Sequence, residues 1–99
     1  MSIYTLATMD FSVDTAIPDA WSAATGNIVQ SYVDAGYCSA IPTWTPTLPD
    51  WHPTSGTYVS RCNWTDQAQA ESCAAQIMAI RSANPQYQAY TTGPVVHND

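Results

Sequence analysis

The chain predicts a single α+β domain in which a four-stranded antiparallel sheet carries two helices on one face. Three observations lead there. The 99 residues are one domain's worth. Two stretches repeat apolar residues at the three-and-four spacing of an amphipathic helix. Four shorter stretches of β-branched and aromatic residues flank them in the order strand, helix, strand, strand, helix, strand.

Residues 2–10 form the first expected strand. Ile3, Thr5, Ala7 and Met9 alternate with Tyr4, Leu6 and Thr8, so both faces have apolar character, as a central strand requires. After a linker at 11–17, Pro18 suits a first helical position and Asp19 places negative charge where the helix dipole favours it. Trp21, Ala24, Ile28 and Tyr32 trace the helix stripe, widened by Val29 and Val33, and Gly36 is the natural stop. Gly26 sits inside this helix at a cost of about 1 kcal/mol relative to alanine. It either weakens the helix locally or admits another backbone.

A short second strand is expected at 37–41. The segment 42–55 follows, with Trp44, Pro46, Leu48, Pro49 and Trp51. Its proline density forbids helix and interior strand, so it reads as an extended arm between strands two and three. Residues 57–64, TYVSRCNW, are the clearest strand. Thr65 offers an N-cap to a second helix with Asp66 and Glu71 nearby, a stripe through Ala70, Cys73 or Ala74, Ile77 and Ile80 or Arg81, and a stop at Asn84-Pro85. Residues 86–92 read as the fourth strand, ended by Gly93-Pro94, and 95–99 as a flexible tail. With right-handed crossovers the order is the ferredoxin-like βαββαβ arrangement over 1–99.

Charge narrows the partners. Only 10% of the residues are charged, and Arg61 and Arg81 stand against eight acids, for a net charge of −6. Two separated arginines among eight acids give no cationic patch to drive binding to nucleic acid or to an anionic membrane. The acids are scattered singly, unlike those of a nucleic-acid mimic. The N-terminal stretch lacks a signal-peptide pattern, so a cytoplasmic protein is expected. Cys38, Cys62 and Cys73 lack metal-ligand spacing. Strands two and three paired symmetrically about Asp50 would set Cys38 opposite Cys62. The two are expected to be close but reduced, with Cys73 buried on its helix. Asn63-Trp64-Thr65 matches a glycosylation acceptor, a pattern common by chance, and is read structurally.

Arg61-x-Asn63-Trp64-Thr65, the alanine-rich helix after it and a closing strand resemble the second half of dimeric α/β-barrel proteins. That superfamily is ferredoxin-like and includes small antibiotic-biosynthesis-type monooxygenases. The resemblance covers about the last forty residues together with length and element order. It implies a dimer whose sheets face each other and a cavity between sheet and helices for a small organic molecule. The proline-rich arm departs from the pattern.

Candidate chemistry is sparse. His52 could shuttle protons at its ordinary pKa near 6.5, against the simpler reading of an exposed loop histidine; His97 falls in the expected tail. No metal or cofactor motif occurs, and none is expected to bind. Arg61 and Asn63 share a strand face. With Trp64 beside them they could hold an anionic or enol oxygen if that face lined a cavity. The alternative is that Arg61 pairs with a surface acid and Asn63 helps begin helix two. In the arm, Trp44, Leu48 and Trp51 are candidate contact residues, since tryptophan dominates binding hot spots and proline lowers the entropy of ordering; alternatively the arm covers its own sheet.

Two functions follow from these residues. One is a non-enzymatic, oligomer-forming interaction or accessory protein, self-associating through the sheet face that the helices leave bare and meeting a protein partner through the arm. The other is a dimeric α/β-barrel small-molecule-binding protein, or a cofactor-independent monooxygenase or isomerase.

Overall fold

Strand β1 (Ile3–Asp10) runs through the middle of an antiparallel sheet. A computed structural model of the chain describes residues 2–10, 16–39, 45–46 and 57–99. Helix α1 (Ala16–Asp34) follows β1, then β2 (Thr45–Pro46), β3 (Thr57–Trp64), α2 (Gln67–Ala83), the short α3 (Pro85–Gln88) and β4 (Val95–Asn98). The fold is α+β. β1 pairs with β3 from Ile3↔Trp64 to Asp10↔Thr57, and with β4 from Ile3↔Asn98 to Leu6↔Val95. The two-residue β2 lies beyond β3, giving the order β2-β3-β1-β4. β1 is buried on both faces at its centre, where Thr5, Leu6, Thr8 and Met9 are all nearly inaccessible, as its two-sided apolar pattern anticipates.

The sheet face carrying Ile3, Thr5, Ala7 and Met9 of β1 meets Trp64, Cys62 and Ser60 of β3 in register. Both long helices pack there. α1 contributes Pro18, Trp21 and Thr25 as its buried line; the stripe passes through Thr25, and Ala24, expected on it, is exposed. Gly36 ends the helix at φ +85°. Its N–H donates to the Val33 carbonyl and that of Tyr37 to the Tyr32 carbonyl, each at 3.0 Å. This is the Schellman pair of bonds, and the Tyr32 and Tyr37 rings meet across it at 6.5 Å.

α2 buries Ala70, Cys73, Ala74 and Ile77. Its N-cap is Asp66, whose side chain accepts from the Gln69 N–H at 3.2 Å, and not the expected Thr65. The Thr65 backbone is drawn away to the Tyr37 carbonyl at 3.0 Å. The helices are tied by Tyr32, whose hydroxyl bonds Ser72 Oγ at 3.0 Å and accepts from Gln76 Nε2 at 2.8 Å.

Three expectations need correction. Residues 86–92 are not a strand: Pro85 begins α3, and only Thr91 bridges to Met9. Proline presets the helical φ at N1, and Tyr87 is buried edge-on against Trp21, with ring centroids 5.1 Å apart. Packing of that one ring outweighs the strand-like alternation of Tyr87, Ala89 and Thr91. Residues 95–98, expected in a flexible tail, are the sheet's true last strand, and Asp99 and Ser2 exchange backbone bonds of 2.9 and 3.1 Å beyond it. Of the expected second strand, Cys38 makes a single bridge, to Trp64, and residues 40 and 41 lie outside the described residues. β2 lies instead within the expected arm, its Pro46 on a sheet edge where proline is tolerated.

Cys38 and Cys62 are joined by a disulfide, with α-carbons 6.5 Å apart, where reduced thiols were expected. Cys38 bridges two residues further along β3 than symmetric pairing would place it, and its side chain still reaches Cys62. Among the described residues, no helix is long and apolar enough to cross a membrane.

Candidate functional site: a cavity between the helices and the sheet

Small residues from four elements meet beneath the helices and fail to fill the space between them. Ala7 of β1 and Ser60 of β3 are cross-strand partners on the sheet. Gly26 of α1 and Ala74 of α2 stand on the facing helices, and the four border a cavity of about 390 Å³. The value lies at the lower end of the range for small-molecule pockets. Larger groups complete the wall: Trp21 and Val29 of α1, Cys73 and Ile77 of α2, Trp64 of β3, and Pro94.

Gly26 is the least expected of these. A Cβ at this position would have no atom of the described residues within 4 Å, so among them neither another backbone nor a packed side chain explains the glycine. Of the two expectations for this glycine, local weakening or close backbone approach, the second is not met among the described residues, where the position opens on space.

The tryptophans are held rigidly. The Trp64 indole N–H donates to Thr5 Oγ1 at 3.0 Å and its ring meets Tyr32 edge-on at 5.6 Å. Trp21 rests on Tyr87. The Thr25 hydroxyl donates to the Trp21 carbonyl at 2.8 Å, within its own helix. Ser60 is different: it is 6% exposed and borders the cavity, and its hydroxyl is not sealed off as an unsatisfied buried group.

Among the described residues, none that lines the cavity carries a charge at neutral pH. The Cys73 thiol is pushed up to about 11 by burial, so it stays protonated and a weak nucleophile. Cys62 is engaged in the disulfide. Among the described residues, no group of three His, Cys, Asp or Glu side chains is placed to hold a metal.

The residues singled out from sequence are divided by strand parity. Trp64 lines the cavity. Arg61 and Asn63 share a face as expected, with Arg61 Nε donating to Asn63 Oδ1 at 3.0 Å, but it is the opposite face of the sheet. There the Arg61 guanidinium lies 3.9 Å above the Tyr4 ring, and Tyr4 stacks on His97 at 5.1 Å. Asn63 takes no part in beginning α2, which Asp66 caps. His52, Trp44, Leu48 and Trp51 lie outside the described residues. Ser60, Gly26 and Thr5 were not singled out as site residues; for Ser60 the available signal was its shared parity with Cys62 and Trp64.

Comparison with protein-family models, with curated proteins and with solved structures finds no match to this chain.

Proposed function

We propose that the chain is a non-catalytic small-molecule-binding protein that holds its ligand between the two long helices and the sheet. The observation that carries this reading is Gly26, a glycine inside a 19-residue helix that costs helix stability and whose missing side chain leaves the cavity open. Proteins break a local rule of this kind most often where function requires it. The described lining supports binding rather than reaction, since among the described residues it pairs no base with a hydroxyl or thiol.

The order β2-β3-β1-β4, in which two βαβ halves interleave, supports the ferredoxin-like assignment and with it the resemblance to dimeric α/β-barrel proteins. Pairing through the face opposite the helices has less apolar surface to draw on than expected, because Leu6, Thr8 and Val59 are already buried within one chain. The Cys38–Cys62 disulfide favours an oxidising compartment over the cytoplasm. The interaction reading rests on Trp44, Leu48 and Trp51, for which the described residues offer no support.

Naphthalene added to ¹⁵N-labelled protein tests the reading. The indole N–H signals of Trp21 and Trp64 should shift together and saturably. Shifts confined to Trp44 and Trp51 would favour the arm as the contact site and overturn the cavity reading.

A further inference from the structure

We propose that the cavity selects a neutral, largely apolar molecule bearing a hydroxyl or carbonyl oxygen, and that Ser60 is the group that orients it, with Thr5 in support. This rests on the ligand-binding reading above. Ser60 is buried as a residue and borders the cavity, and its hydroxyl is not a sealed, unsatisfied group, so it is open to an occupant of that space. A hydroxyl on a largely apolar wall is a group that alanine would replace with little change in packing, and it gives a bound molecule a hydrogen-bonding point that the apolar residues cannot. A ligand oxygen uses it.

Thr5 faces Cys62 and Ala7 faces Ser60 across the β1–β3 ladder, so Thr5 and Ser60 are diagonal neighbours on one sheet face. Thr5 Oγ1 accepts from the Trp64 indole, which leaves the Thr5 proton to donate. A ligand carbonyl can accept from either hydroxyl, and a ligand hydroxyl can also donate to Ser60. Thr25 does not compete for this role, since its proton is committed to the Trp21 carbonyl.

Neutrality follows from what surrounds the space. Arg61 lies on the opposite face of the sheet, and Arg81 is engaged with the carbonyls of Thr91 at 2.7 Å and Gln88 at 3.3 Å. With no ionised group among the described lining residues, an anion or a cation would lose its hydration there without a counter-charge. The chain's net charge of −6 disfavours anions further.

The test uses three two-ring probes of similar size, naphthalene, 2-naphthol and 2-naphthoate, titrated calorimetrically into the disulfide-intact chain and its Ser60→Ala variant. Ser60→Ala should weaken 2-naphthol by about three- to tenfold, the net value of one hydrogen bond. It should leave naphthalene unchanged and should not lower the melting temperature of the ligand-free protein. Neither protein should bind 2-naphthoate. Ser60→Cys, which keeps the volume and weakens the hydrogen bond, gives the same direction should Ser60→Ala fail to fold. Equal affinities of the two proteins for 2-naphthol would overturn the role of Ser60 while leaving the ligand-binding reading intact. Binding of 2-naphthoate as tight as that of 2-naphthol would overturn neutrality. Failure of all three probes to bind would bring down the cavity reading itself.

Discussion

Trp64 of β3 donates its indole N–H to the Thr5 hydroxyl of β1 at 3.0 Å, linking the two strands that floor the cavity. Both residues are buried, so the bond is made largely shielded from bulk solvent. Thr5→Val keeps the shape and leaves a buried donor unsatisfied, at an expected cost of about 1–3 kcal/mol. Urea denaturation should show a lower midpoint with an unchanged slope. Trp64→Phe in the Thr5→Val background should lose much less than Trp64→Phe alone, as coupled partners do.

The two glycines Gly26 and Gly93 should respond in opposite directions to alanine. At Gly26 the added methyl has open space and helix propensity favours it, so Gly26→Ala should stabilise by roughly 0.5–1 kcal/mol. Gly93 has φ +66°, and a Cβ there would run into Met78 Sδ. Gly93→Ala should therefore destabilise by about 1–2 kcal/mol or more. Thermal melts of the pair would check the contrast, and two shifts of the same sign would refute it.

The disulfide closes a sequence separation of 24 residues between Cys38 and Cys62. Loop-closure entropy alone makes its loss worth about 3–4 kcal/mol. The double variant Cys38→Ser/Cys62→Ser should melt well below the parent, and a reductant should lower the parent's melting temperature towards that of the variant. A reductant without effect on the parent would contradict the bond.

Most of the frame is legible in the residues, because it depends on local pattern. β1 shows two-sided alternation, α1 shows its stripe and its Gly36 stop, and β3 shows its β-branched and aromatic run. The last fifteen residues are misread for a physical reason. Tyr87, Ala89 and Thr91 alternate as a strand would, while Pro85 starts a helical turn and the Tyr87 ring finds Trp21. Val95 and Val96 look like a tail after Gly93-Pro94 yet complete the sheet beside β1. The site was half legible. Parity alone separates Trp64 from Arg61 and Asn63, but the meeting of Ala7, Gly26, Ser60 and Ala74 is a tertiary event that no local pattern announces. The disulfide required the actual reach of Cys38 to Cys62.

Cys73 gives a pH signature. Burial raises its pKa from 9.0 to about 11, so the unfolded chain releases this proton first as the pH rises. The stabilising difference is complete below about pH 9 and is lost progressively between there and pH 11, at a slope no steeper than about 1.4 kcal/mol per unit. Denaturation midpoints of the parent should fall faster over that window than those of Cys73→Ala. Parallel curves would show that the thiol titrates alike in both states.

The central claim is that the space beside Gly26 exists to be occupied, and Gly26→Leu tests it most directly. The new Cβ enters free space and the rest of the side chain fills the cavity from the α1 wall. Naphthalene binding should disappear while the melting temperature stays level or rises. A folded Gly26→Leu protein that binds naphthalene as well as the parent does would contradict the account.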